Sequence, residues 1–220
     1  MTEAAVTRIP VCVFAKPSVP GRVKTRLASA VGDARAAGIA AAMLGDVWSV
    51  VNNTAGTFPV LAAAEPGAFA LDVPEERIWL QPSGDLGLRI ECILRRGLES
   101  ASAAIALGAD SPLLTTVQLS EAMDALQSGD AVLVPCGDGG FYLLGLRRCP
   151  PGLLAGIRWS STQTLRETEA RMDVHGISSS RLVTLMDVDT PADLQQLRID
   201  LRNSPPQIAP LTRKWLDENP

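Results

Sequence analysis

Apolar residues fall along the chain in short compact runs separated by segments of helical composition. The run IPVCVFA at residues 9–15 has no charged position, as expected of a strand covered on both faces of a sheet. Residues 59–64 (PVLAAA), 77–81, 103–109, 130–135, 141–146 and 182–186 read as further strands. Between them, residues 33–51 are Ala-rich and favour helix. Residues 86–101 repeat Leu86, Ile90, Ile93 and Leu94 on one helical face, and 115–126, 161–173 and 191–201 complete the helices. Thr115 with Gln118 three residues on predicts a capping box. Thr190 before Pro191 predicts an N-cap followed by proline at the first helical position.

Strands alternating with helices predict an α/β fold, a single domain with a mostly parallel central sheet flanked by helices. Residues 1–202 are expected to form that domain. Residues 203–220 are a Pro-rich extension ending either in a short helix packed by Trp215 or in a mobile tail. No apolar stretch is expected to reach bilayer-spanning length. The opening segment lacks the apolar core of an export signal, so a cytoplasmic location is expected.

Charge narrows the function classes. Lys and Arg number 20 against 24 Asp and Glu, a net −4, which argues against a nucleic-acid or membrane-surface binder. The four cysteines, Cys12, Cys92, Cys136 and Cys149, form no CxxC pair, and His175 is the only histidine, so a structural zinc site is not expected. The cysteines read as small buried hydrophobes. Any catalysis falls to carboxylates, basic side chains and a metal ion.

In open α/β sheets ligands bind beyond the carboxyl ends of the strands, so the polar residues there carry the functional signal. The loop after the first strand holds Lys16, Arg22, Lys24 and Arg26 among prolines and a glycine. It suits polyphosphate, although the GxxxxGK[ST] spacing of a P-loop is absent, and a solvated basic turn has the same composition. Asp110 in GADSP ends a buried strand, either as a ligand for Mg²⁺ or Mn²⁺ or as a loop brace. Asp187 and Asp189 in DVDTP point to one side of an extended chain. Such a pair repels unless a cation or proton is shared; a turn role for Asp189 and a brace role for Asp187 is the alternative, and Asp193 reads as a first-turn helix carboxylate. Asp138-Gly139-Gly140 either lines an acceptor site, with Asp138 as base, or forms a tight hairpin. Gln81 and Gly84-Asp85 open a helix, where they contact a nucleotide or cap that helix.

The ordered set FAKPSVPGRVKTRL, QPSGDLG, GADSP, DGGFYLLGL, WSSTQTL and DVDTPADL resembles bacterial GT-A-type glycosyltransferase-like proteins of the nucleotide-diphospho-sugar transferase superfamily. Some of these are encoded near radical-SAM enzymes. The likeness runs from about Ile9 to Leu201 and implies a GT-A-like Rossmannoid fold. It implies that Arg22, Lys24 and Arg26 face nucleotide phosphates and that Gln81, Gly84 and Asp85 lie near base or ribose. It places Asp110, Asp187 and Asp189 at a metal, and Asp138, Gly139 and Gly140 on the acceptor side. GADSP has one Asp, not the DxD of many GT-A glycosyltransferases, and Phe141 stands where many relatives have Tyr. The resulting expectation is a metal-dependent transferase with a nucleotide-activated donor and a small acceptor. Glycosyl transfer comes first, nucleotidyl transfer to a phosphorylated acceptor second, and a non-catalytic nucleotide binder third.

Overall fold

In the computed structural model, which describes residues 8–220, the apolar run at the start of the chain is the central strand β1 (Ile9–Ala15). The opening segment that argued against an export signal lies largely outside the described residues. Strand β2 (Thr57–Ala63) pairs with β1 in parallel on one side, and β3 (Ile78–Leu80) follows it outward. Strand β4 (Ala104–Gly108) pairs in parallel on the other side of β1. Beyond it lie β6 (Phe141–Leu146), β5 (Ala131–Pro135) and β7 (Ser179–Arg181). The seven-stranded sheet is parallel except for β6, which runs antiparallel to both β4 and β5.

Helices cover both faces, which is why the central strands carry apolar residues without alternation. One face packs Leu44, Val47 and Val51 of α2 (Asp33–Asn53) and Leu119 and Leu126 of α4 (Thr116–Ser128) against Val11, Val13 and Leu107. The other takes Ile90 and Leu94 of α3 (Leu86–Leu98) and Met172 of α5 (Thr164–Val174). The predicted capping box of Thr115 with Gln118 forms on α4, and Thr190 caps α6 (Pro191–Asn203) as expected, in a second capping box with Asp193 that was not foreseen.

Three local expectations change. The basic loop is cut short by α1 (Thr25–Val31), whose first residue follows Lys24 in the left-handed conformation and has no capping side chain to announce it. The last strand is β7 at Ser179–Arg181, ahead of the predicted residues 182–186. Its side chains are all exposed at the sheet edge, so backbone pairing with β5 defines it and no apolar pattern does. Residues 182–186 still follow β5, with the Leu182 and Leu185 amides donating to Leu133 and Pro135 carbonyls. Finally, α2 is the one helix among the described residues long and apolar enough to cross a membrane. It lies against the sheet, however, and 56% of its apolar window is buried.

The C-terminal extension ends in a helix, α7 (Pro210–Glu218), docked on α2. Asp46, 3% exposed within α2, accepts hydrogen bonds from the Leu211 and Thr212 amides at 3.0 and 2.8 Å. These amides open α7 and have no partner inside it. Asp46→Ala is therefore expected to cost about 1–3 kcal/mol in denaturant unfolding. Loss of hydrogen-exchange protection at Leu211 and Thr212 should accompany it, and unchanged protection would disprove the lock.

Candidate active site

The chain builds β1, β2 and β3 outward in one direction and then returns to place β4 on the opposite side of β1. A crevice opens beyond the carboxyl ends of strands at such a reversal. Here the loop after β1 carries Lys16 to Lys24, and the loop after β4 carries Asp110. Because β6 is antiparallel, the β5–β6 turn with Asp138 reaches the same edge. The segment after β7 arrives there too, where the buried Val188 donates its amide to the Asp110 carbonyl at 3.0 Å. That bond fixes the residues on either side of it, Asp187 and Asp189.

Lys24 joins these elements. Its Nζ donates to Asp110 Oδ2 at 2.7 Å and to Asp189 Oδ1 at 2.5 Å. The side chain is 10% exposed, so this contact is shielded in a way surface ion pairs are not. Burial works to lower the Lys24 pKa, but Asp110 and Asp189 more than reverse it and hold the ammonium charged. The backbone at Lys24 has φ 47° and ψ 44°, an unusual conformation for a non-glycine residue.

Asp187 sits among like charges. Burial first, then Asp110, Asp138 and Asp189, push its carboxyl up to about 6. Potential ligand atoms of Asp187, Asp138 and Cys136 lie within 4.8 Å of one another. The Cys136 thiol is itself driven far up by burial and by these carboxylates. Asp138 and Asp187 offer carboxylate oxygens, the donor type that suits Mg²⁺ or Mn²⁺. Asp110 and Asp189, the other carboxylates expected at a metal, are bound by Lys24.

Two cavities meet at this cluster. One of about 400 Å³ is lined by Lys16, Arg22, Lys24 and Arg26 together with Asp110 and Asp189. A second, of about 480 Å³, runs past Arg26, Asp138, Asp187, Asp189 and Asp193. Arg22 lines the first cavity while pairing with Glu65 at 2.7 Å, a partner not evident in the sequence.

The other predicted residues are engaged locally. Gln81 donates to the Ala62 carbonyl at 2.7 Å, and Asp85 caps α3 by accepting from the Leu88 amide at 2.8 Å. The Gly84 carbonyl accepts from Arg89. None of the three lines the basic cavity. Asp138-Gly139-Gly140 does form a hairpin turn, and Asp138 accepts from the Gly140 amide at 2.8 Å. The same turn brings Asp138 to Asp187. Gly139 has φ 89°, and a Cβ there would meet the Thr162 carbonyl oxygen at 2.4 Å, so the turn closes onto the start of α5 only with glycine. Asp193 accepts from the Asp189 and Thr190 amides as part of its cap.

Residues 49–161 match the family model described as an uncharacterized protein conserved in bacteria, DUF2064. The chain belongs to the DUF2064 family. No curated protein matches its sequence. Among solved structures, this DUF2064 chain resembles a protein of Desulfovibrio desulfuricans G20 provisionally designated a nucleotide-diphospho-sugar transferase. The identity is 27%, the match covers 96% of this chain and 94% of the other, and the TM-score is 0.85. A CMP:2-keto-3-deoxy-manno-octonic acid synthetase complexed with CTP is 12% identical, with 89% and 99% covered and a TM-score of 0.56. Rv0371c of Mycobacterium tuberculosis H37Rv, complexed with manganese, is 16% identical, with 87% and 98% covered and a TM-score of 0.54. These likenesses establish the nucleotidyltransferase and GT-A-like fold for the DUF2064 chain.

The Asp187 shift has a signed consequence. Its folded pKa lies above the unfolded value, so its contribution to stability is complete below about pH 4 and is lost as pH rises through about 6. In metal-free DUF2064 protein, Asp187→Asn should raise the melting temperature at pH 8 and change it little at pH 4. Equal effects at both values would contradict the like-charge cluster. Lys24→Met should lower the melting temperature of the metal-free protein, because Asp110 and Asp189 then face each other uncompensated.

Proposed function

We propose that the protein is a divalent-cation-dependent transferase that passes a sugar from a nucleoside-diphosphate-sugar to a small acceptor. The observation that carries this reading is one cavity lined by Lys16, Arg22, Lys24 and Arg26 together with Asp110 and Asp189, the two carboxylates that Lys24 binds. Its cations suit the phosphates of a donor, and its carboxylates suit a metal ion shared with them. The fold of nucleotide-diphospho-sugar transferases and cytidylyltransferases, and the manganese complex of Rv0371c, support the same reading.

In this account Asp110, Asp187 and Asp189 hold Mg²⁺ or Mn²⁺. The ion supplies charge neutralisation for the departing diphosphate. Arg22 and Arg26 bind phosphate oxygens, and Lys24 carries a fixed charge at the boundary between carboxylates and phosphates. Asp138 accepts the proton of an acceptor hydroxyl. Gln81, Gly84 and Asp85 stand outside the basic cavity, engaged with the Ala62 carbonyl, Arg89 and the Leu88 amide.

Nucleotidyl transfer from a nucleoside triphosphate, with pyrophosphate release, is the second reading. The single carboxylate of GADSP and the several cytidylyltransferase folds among similar structures favour it. The two readings separate in a thermal-shift panel of NTPs, NDPs and NDP-sugars with and without Mg²⁺ or Mn²⁺. A ligand at a hundredfold excess over its Kd stabilises by about 2.7 kcal/mol. Metal-dependent stabilisation by one NDP-sugar beyond its parent NDP is expected. Preference for an NTP selects the second reading. The double substitution Asp187→Ala and Asp189→Ala should abolish the metal dependence, and its survival would refute the metal assignment.

A further inference from the structure

Beside the basic cavity, and sharing Phe14, Gly108 and Asp110 with it, lies a cleft of different chemistry. Its two connected parts, about 190 and 170 Å³, share Leu86, Ile90, Cys136, Phe141 and Asp187. Phe14 and Tyr142 line one part and Trp159 the other. Among the described residues, Asp110, Asp138 and Asp187 are its charged ones, and no Lys or Arg lines either part. Arg158, next to Trp159, is turned to Glu167.

The wall is built rather than incidental. Phe141 and Trp159 meet edge to face with ring centroids 6.1 Å apart. Ser160 holds φ 55°, an unfavourable conformation for serine, between Trp159 and the start of α5. The Leu165 amide donates to the Gly139 carbonyl at 2.9 Å and pins the β5–β6 turn to that helix. The indole Nε1 of Trp159 is buried with no hydrogen-bond partner, and Leu86 is 42% exposed at the cleft.

We infer that this cleft takes the acceptor, and that the acceptor is a phosphate-free hydroxyl compound with an apolar or aromatic body. The inference rests on the transferase reading above and narrows its substrate class. A phosphate dianion in the cleft would face Asp110, Asp138 and Asp187, and the nearest lysine, Lys24, is already bound by Asp110 and Asp189. Asp110, Asp138, Asp187, Asp189 and Asp193 outnumber the charges of Lys24, Arg26 and one divalent ion together, so metal binding does not reverse that field. An apolar body gains by covering Leu86, Ile90, Phe141 and Trp159. In the step this allows, the acceptor oxygen attacks the donor's anomeric carbon as the bond from that carbon to phosphate oxygen breaks. The electron pair leaves with the nucleoside diphosphate, and the hydroxyl proton passes to Asp138.

Three probes with one body test the class: 2-phenylethanol, 2-phenylethylamine and 2-phenylethyl phosphate. Each is titrated into the full chain with Mg²⁺, following the Trp159 indole N–H by NMR after assignment with Trp159→Phe. Millimolar affinity is the scale for ligands of this size. The alcohol and amine are expected to shift the Trp159 signal, with the phosphate ester at least about tenfold weaker, a difference of about 1.4 kcal/mol. Leu86→Lys, at an exposed position, should narrow that gap. Phosphate-ester binding as tight as the alcohol's overturns the inference, as does a Trp159 signal that none of the probes moves or a gap unchanged in Leu86→Lys. A separate thermal-shift titration with pyrophosphate and Mg²⁺ reports on the basic cavity. If pyrophosphate fails to bind, the transferase reading falls and this inference with it. Pyrophosphate binding with phosphate preferred at Trp159 overturns the acceptor class alone.

Discussion

A single ammonium group ties the site together. Lys24 reaches Asp110 at the end of β4 and Asp189 from a segment 165 residues away, with little exposure to water. Taking such charges out of water is costly, and the contact persists because both carboxylates answer the same cation. Two further constraints hold it: the Val188 amide ties the acidic segment to the Asp110 carbonyl, and the Lys24 carbonyl accepts the first backbone bond of α1 from the Ala28 amide. Left-handed backbone at Lys24 is the local strain this arrangement tolerates.

Around that point the site divides by charge. Cations from the β1 loop lie on one side and a cation-free aromatic cleft on the other, with the carboxylates between them. The topology makes the division necessary. The β1 and β4 loops flank the reversal in strand order, while the antiparallel β6 brings the β5–β6 turn and Phe141 to the same edge. Asp138 lines the aromatic cleft beside Asp187.

Much of this was legible in the sequence because local chemistry and final position agree. The central strands are apolar on both faces, the capping box forms where Thr115 and Gln118 announce it, and Thr190 caps the helix that Pro191 opens. The acidic and basic residues singled out at strand ends share one edge of the sheet. Helix α1 was not legible, since it begins after a left-handed lysine without a capping side chain. Strand β7 was not, since its three exposed residues owe their form to pairing with β5. Cys136 was read as a buried hydrophobe, and the carboxylates around it come from distant parts of the chain. Pairings such as Lys24 with Asp189 and Arg22 with Glu65 belong to the fold and leave no periodicity to find.

The central claim is that the carboxylates around Lys24 and the basic cavity form one metal–phosphate site. Crystals grown with Mn²⁺ and pyrophosphate, measured by anomalous scattering from manganese, test it most directly. The account predicts a manganese peak among the carboxylates of Asp110, Asp187 and Asp189, with pyrophosphate against Arg22 and Arg26. Pyrophosphate bound there with no manganese at those carboxylates, or manganese held elsewhere on the protein, would contradict it.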